Sequence, residues 1–502
     1  MQKPEVIIVG AGPGGLISGM ILANKGCKVT FYEKENIPGG RNGYIEEKGY
    51  KFDIGPTFLM MKFVLDDIFK EVGRDVNDYL EFVELDPMYR LVWTDQYMDV
   101  HYNKDLLKKE LQRVFPNVVS ELDKFMKVES WRFKKLFPCL TRPYGSAFSL
   151  LNKHVIFGLR AFAFGKTLYD VLGNYFDDQK ARIAFTFQSK YLGMSPWKCP
   201  GLFAMIPYVE HEFGIYHSIG GLSEISAAMA KVAEEEGAKI HYHTTVKQII
   251  VENGKAIGVE LENGKKHKAD EVIINADFGY AATKLFPKGV IKKWAYDNLI
   301  QKRFSVSTFM LYLGLKKRYD LKHHTIVFSK EYIKNVTDLE NGIFPEKNAS
   351  FYVRNADVTD PTLAPKGHSA LYILVPVPNK KANINWKAKE KPFRDWIIDQ
   401  LDKRLGMKDV EENIVVEKIF TPDTWETDYN VFIGATFNLA HNIPQMLHKR
   451  PHNKFEEVKN CYLVGGGTHP GSGLPTIYES GRISAGIICK KHGFTCGEAV
   501  KH

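Results

Sequence analysis

Cysteine is scarce and unorganised in this chain. Six occur in 502 residues, at positions 27, 139, 199, 461, 489 and 496, with no Cys-x-x-Cys pair and no dense run. That argues against a disulfide framework or a cysteine metal site and favours a reducing compartment. Long apolar runs are missing too: no stretch of about twenty residues escapes interruption, so no spanning helix is expected. A strand is entered by Val6, which leaves no room ahead of it for a charged and apolar signal segment. There is no Ser-His-Asp order and no paired-carboxylate motif, so hydrolysis has no support. No internal repeat or low-complexity linker divides the chain, and no nucleic-acid recognition motif accompanies its net charge of +9.

Glycine-rich turns are present at both ends. Val6-Ile7-Ile8-Val9 runs into Gly10-Ala11-Gly12-Pro13-Gly14-Gly15 and an apolar helix. Gly10 permits the tight turn, Gly12 lets backbone N–H groups approach a pyrophosphate, and Gly15 lets the helix pack closely on the strand. The next strand, 28–32, ends at Glu33, whose carboxylate suits both hydroxyls of a ribose and disfavours a 2′-phosphate. Gly39-Gly40-Arg41 supplies two permissive glycines and a fixed cation for a second approach to a diphosphate, and the turn ending at Gly55-Pro56-Thr57 brings the backbone back. This second clamp points to a flavin rather than a nicotinamide. No second Gly-x-Gly-x-x-Gly unit follows a strand, so a dedicated NADPH domain is not expected.

Near the other end, Cys461-Tyr462-Leu463-Val464 leads into Gly465-Gly466-Gly467-Thr468-His469-Pro470-Gly471-Ser472-Gly473-Leu474-Pro475. Together with Tyr191-Leu192-Gly193-Met194-Ser195-Pro196, Thr421-Pro422-Asp423-Thr424-Trp425 and Arg450-Pro451-His452-Asn453, these motifs span nearly the whole chain. Their order resembles the carotenoid (phytoene/dehydrosqualene) desaturase branch of the FAD-dependent, amine-oxidase-like flavoproteins. The resemblance implies FAD as cofactor, with Gly466, Gly473, Leu474, Pro475 and Thr476 beside the flavin and the helix that follows pointing its positive end at the ring. It also implies a backbone contact from Val246 and a position over the ADP moiety for the Asn275-Ala276 strand end. Where bacterial relatives have a small-residue helix after the signature, Thr476-Ile477-Tyr478-Glu479-Ser480-Gly481-Arg482 is bulkier and charged, which leaves the substrate subfamily open. His469 reads as a structural hydrogen-bonding residue, and no catalytic residue or metal ligand is assigned.

The implied fold is α/β (α+β), with a discontinuous Rossmann-like FAD-binding domain over 1–90, 215–290 and 440–502. A helical, membrane-facing region occupies 91–214, and a mixed-sheet substrate domain occupies 291–439. Within the last, 345–366 reads as a polar surface excursion, and a helix is expected over 393–405. The implied reaction is desaturation of a long apolar isoprenoid by hydride transfer to flavin, with oxygen or a quinone as terminal acceptor. Alternatives are a polyene isomerase, saturase or terminal oxidase and, on the same fold, a non-enzymatic binder of prenylated protein.

A basic, aromatic segment bears on location. Between Ser130 and Tyr169 there is no acidic residue, while Arg132, Lys134, Lys153, Arg160 and Lys166 interleave with Trp131, Phe148, Phe157 and Phe164. Such a segment suits the headgroup layer of an anionic bilayer, which predicts a cytoplasmic, peripherally membrane-associated protein. Phe203, Met205, Ile206 and Tyr208 are candidates for the lining of an apolar tunnel.

Overall fold

The computed structural model describes residues 3–496. Its first sheet is parallel, in the order Cys461–Leu463, Glu271–Ile274, Glu5–Val9, Lys28–Tyr32 and Lys239–His241. Four of these strands are near-continuous apolar runs because both faces of the sheet are covered, one by helices and the other by the meander that contains Val246, Ile249 and Val259. The helix Pro13–Asn24 is buried almost all round, packed between the helices Ser223–Glu235 and Leu474–Lys491. Contact with the last of these is at backbone distance. Ser18 Oγ donates to Gly481 O at 2.9 Å, and a Cβ on Gly481 would stand 2.5 Å from Gly14 O. The strands of the meander Val246–Glu252, Lys255–Leu261 and Lys266–Lys268 are joined by Asn-Gly turns at 253–254 and 263–264; Asn253 and Gly254 have φ of 49° and 72°.

The second large sheet has seven strands, in the order Ile414–Phe420, Ser307–Leu315, Ser369–Val377, Phe351–Asn355, His324–Val327, Tyr89–Val92 and Tyr97–Val100. Every residue of Ser307–Leu315 is buried, since it is paired on both edges and covered on both faces. On one face Phe309, Leu311 and Leu313 pack against Phe393, Ile397 and Leu401 of the helix Trp386–Leu405. On the other, Met310, Tyr312 and Tyr372 meet Tyr50, Phe52 and Ile54 of the first domain.

Several expectations are corrected here. The stretch 345–366 is not a surface excursion: Phe351–Asn355 is an inner strand, too short and too closely flanked by proline and asparagine for its alternation to stand out. The helix expected from 393 starts at Trp386, capped by Asn385, and runs through Pro392, an interior proline that has no N–H for the i→i−4 bond of its turn. The first ten residues of the 91–214 region belong to the seven-stranded sheet, and helices dominate only from Lys104 onward. Cys489 and Cys496 are joined as a disulfide, a local Cys-x6-Cys closure that the spacing did not suggest, while Cys27, Cys139, Cys199 and Cys461 are free and buried.

The basic, aromatic segment divides into inside and outside. Arg132 is buried, with Nε 2.6 Å from Glu129, which Tyr175 also donates to at 2.9 Å; it contributes nothing to a basic surface. Phe133, Phe137 and Phe162 are core. Outside lie Phe148 at 83% exposure, Phe157 at 70%, Leu151 at 70% and Phe164 at 58%, and Lys134, Arg142, Lys153, Arg160 and Lys166 of the same segment are exposed as well. No helix among the described residues is long and apolar enough to cross a membrane.

Candidate active site

Two cavities meet end to end. The first is a groove at the carboxyl ends of the parallel strands, where a doubly wound sheet places its ligands. Its walls include Gly10, Gly12, Glu33, Gly40, Arg41, Val246, Ala276 and Gly466. Side chains are excluded where the walls come closest: a Cβ on Gly12 would stand 2.5 Å from Asn275 Nδ2, and one on Gly15 would stand 2.8 Å from Gly10 O. Asn275 Nδ2 donates to Gly10 O at 3.3 Å and so ties the turn to the neighbouring strand. At Gly40, with φ of 54°, a Cβ would meet open space; the glycine is there for its conformation.

Electrostatics complete the groove. Glu33 is buried, and its two oxygens accept the Ala11 N–H at 2.6 Å and the Glu35 N–H at 2.9 Å. Burial raises its pKa, and the two N–H donors work against that rise. Arg41 donates to Thr436 O at 3.2 Å and stands 3.6 Å from Asp277, whose other oxygen caps the helix Phe278–Lys284. The C-terminal turn is held from behind by Arg450, fully buried. Its guanidinium donates to Gly466 O at 2.8 Å, Thr468 O at 3.1 Å and Leu439 O at 3.1 Å, and burial lowers its pKa to about 9.

The second cavity is an apolar chamber. Phe58, Met60, Phe187, Tyr191 and Met194 form one wall, Met310, Tyr372 and Leu374 of the seven-stranded sheet another, and Ile326, Val336 and Leu339 a third. Arg41, Pro56, Asn438, Leu474 and Ile477 line both cavities, so the groove opens into the chamber at the start of the helix Leu474–Lys491. Gly55, Pro56, Thr57, Gly473, Leu474 and Pro475 lie on the chamber side of this junction.

Of the sequence-derived site residues, all but Gly15 and Thr476 line one cavity or the other. Gly15 acts through helix packing, as its reading required. Thr476 Oγ1 turns back to Gly473 O at 2.9 Å and braces the first turn of its helix. His469 lies outside both cavities, edge-on to Tyr144 at 4.9 Å, and burial lowers its pKa to about 3. The proposed tunnel lining is corrected: Phe203, Met205, Ile206 and Tyr208 are not in the chamber wall. Tyr208 packs on Phe133 and Phe213, and Phe203 packs on His441; apolar residues beside a turn carry no mark that separates core from cavity. Asn275, read with Ala276 as the strand end over the ADP moiety, lines the groove; Asp277 and Asn438 line it too and were not assigned, and Asn438 carries no local signal.

Residues 13–489 match the family model for flavin containing amine oxidoreductases. The chain belongs to that family. The chain is 53% identical over 97% of its length to a 4,4′-diapophytoene desaturase (4,4′-diapolycopene-forming) of Methylomonas sp, covering 96% of that protein. It is 37% identical to an all-trans-zeta-carotene desaturase of Myxococcus xanthus, with 97% and 94% of the two chains aligned. These relatives place it among the carotenoid desaturases, as an FAD-dependent oxidoreductase. Solved structures share the fold at lower identity: an oxidoreductase of Methanosarcina mazei (18% identical, TM-score 0.62, 97% and 100% covered) and a putrescine oxidase (14%, 0.62, 97% and 99%). The groove suits FAD on its own evidence. Its glycines clear space for a diphosphate, the first-turn N–H groups of the helix Pro13–Asn24 lack intrahelical partners, and a buried carboxylate ends the second strand.

Proposed function

We propose that this enzyme desaturates a linear carotenoid precursor, with dehydrosqualene (4,4′-diapophytoene) favoured over phytoene. The observation that carries the reading is the junction: an apolar chamber ends on a nucleotide-sized groove, so one carbon of a long hydrocarbon can be held where the groove ends. Bound FAD supplies a two-electron acceptor for hydride. The chain holds it through Gly10, Gly12, Glu33, Gly40, Arg41, Val246, Ala276 and Gly466 in the groove, and Gly55, Pro56, Thr57, Gly473, Leu474 and Pro475 around the ring; Gly15 and Thr476 act by packing. Placement and exclusion of water dominate catalysis in such a site. Residues 1–90, 215–290 and 440–502 make up the FAD domain, 291–439 with the strands Tyr89–Val92 and Tyr97–Val100 the substrate domain, and the helices from Lys104 to 214 the cap that faces the bilayer.

A substrate of this kind stays in the bilayer, since burying each CH₂ is worth about 0.8 kcal/mol. Phe148, Leu151, Phe157 and Phe164 with the exposed basic residues of the same segment dock the enzyme on anionic lipid from the cytoplasmic side, and oxygen or a quinone takes the electrons. The bulkier helix after Pro475, which motivated isomerase or oxidase readings, does not favour them: Glu479 and Arg482 are turned away from both cavities, with Arg482 paired to Glu71. Reconstitution with FAD and vesicles carrying dehydrosqualene or phytoene tests the proposal. Loss of hydrogen pairs by mass and growth of a visible chromophore are expected, faster with dehydrosqualene. An unchanged mass with flavin bound refutes it.

A further inference from the structure

Desaturation removes a hydride from one carbon and a proton from its neighbour, and no sequence motif supplies a group to take the proton. We infer that the hydroxyl of Tyr352, backed by His324, is that group. The inference rests on the desaturase reading above.

Tyr352 lies on the inner strand Phe351–Asn355 and lines the chamber. Its Oη stands 2.6 Å from His324 Nδ1 and donates to Thr57 Oγ1 at 2.9 Å, so the relay turns the hydroxyl proton from Thr57 to His324. Thr57 follows Pro56, which lines both cavities, so this hydroxyl is one hydrogen bond from the junction where the reacting carbons must sit. Tyr372, also in the wall, is committed elsewhere, donating to Gly55 O at 2.7 Å. The carboxylate of Glu340 is held by the Ser195 N–H and by Lys198.

His324 is fully buried, its ring stacked on Phe58 at 4.1 Å, and its Nε2 has no partner among the described residues. Burial holds the imidazole neutral, with its pKa far below the usual value. Behind it lies a closed polar network. The His323 ring is 4.4 Å away; Arg354 bonds Asp53 at 2.8 Å and His217 at 3.1 Å, and His217 bonds Asp360 at 2.9 Å. The Arg354 guanidinium adds to burial in lowering the His324 pKa, so a proton received here is passed on rather than kept.

The step is balanced. One C–H electron pair leaves with its hydrogen as hydride to FAD, which is reduced. The electrons of the neighbouring C–H bond form the new C=C bond. That carbon's proton bonds to Tyr352 Oη while the hydroxyl's own proton passes to His324 Nδ1, and the proton returns to water as product leaves. Loss of hydride beside a conjugated chain leaves positive charge that makes the neighbouring C–H acidic, so a neutral acceptor suffices.

The relay requires His324 to carry its resting proton on Nε2, leaving Nδ1 free to accept. ¹⁵N spectroscopy of imidazole-labelled holoenzyme reads this without turnover: an unprotonated Nδ1 is expected, and a protonated Nδ1 overturns the inference. In Tyr352→Phe, kcat for dehydrosqualene should fall about 100-fold or more, with KM and flavin content unchanged. A kcat within twofold of wild type overturns the inference. Should Tyr352→Phe lose flavin, His324→Gln decides: an unchanged kcat overturns the proposal, and a comparable fall supports it. A wild type that leaves the mass of the polyene unchanged removes the desaturase reading instead, and the ¹⁵N spectrum still reports whether the pair is built to receive a proton.

Discussion

The groove and the chamber are neighbours made in opposite ways. The groove is backbone: glycines at fixed spacing, helix N-termini and strand ends, with the buried carboxylates of Glu33 and Asp277 and the cation of Arg41. The chamber is side chain: residues from the cap, the seven-stranded sheet and the helix Tyr332–Glu340, with no spacing rule among them. A backbone-built site fails when a single atom is added. A side-chain-built site changes shape and keeps working on something else.

The largest expected effect tests the first half of that statement. Gly12→Val places carbon where Asn275 Nδ2 would be 2.5 Å from its Cβ, and the purified protein should carry no flavin absorbance. Flavin retained at wild-type level would show that the groove tolerates side chains. Next comes a buried carboxyl group behind the chamber wall. Glu210 is fully buried and accepts from Gln188 at 2.8 Å and Tyr89 at 3.0 Å, and burial raises its pKa to about 7. The folded protein therefore holds a proton that the unfolded chain has released. Stability should fall by up to ~3 kcal/mol as pH rises from the unfolded carboxylate value to about 7. Glu210→Gln should flatten that slope in denaturant titrations; an identical pH profile would contradict it.

Glu33→Ala removes charge-assisted bonds worth about 1.5–3 kcal/mol, so FAD should bind roughly 10- to 100-fold more weakly, measured by flavin fluorescence on dialysis. Unchanged affinity would sink the ribose assignment. The smallest change sharpens the other side. Leu339→Trp on the far wall should lower kcat/KM for the long polyene about tenfold, roughly 1.4 kcal/mol, with flavin content untouched. A loss of flavin would mean that the two cavities are not independent.

The same contrast explains what could be read in advance. Gly10, Gly12, Glu33, Gly40 and Arg41 were legible because a phosphate and a ribose impose residue types at fixed separations, and the parallel strands were legible as short apolar runs. Tyr352 and His324 were not. They sit 28 positions apart, meet only through pairing of their strands, and one of those strands was taken for a loop. Phe203 and Tyr208 failed in the other direction, because burial in a core and burial in a cavity wall demand the same side chains.

The helix Leu474–Lys491 touches the first helix of the chain across 463 positions of sequence, through Ser18 and Gly481. On a ribosome adding about 5–20 residues per second, the first glycine turn waits on the order of 20–90 s before its covering helix exists. During that interval one face of Pro13–Asn24 lies bare, so the FAD fold closes only after nearly the whole chain has been made. Truncation or slow synthesis of the last forty residues therefore acts on the beginning of the protein.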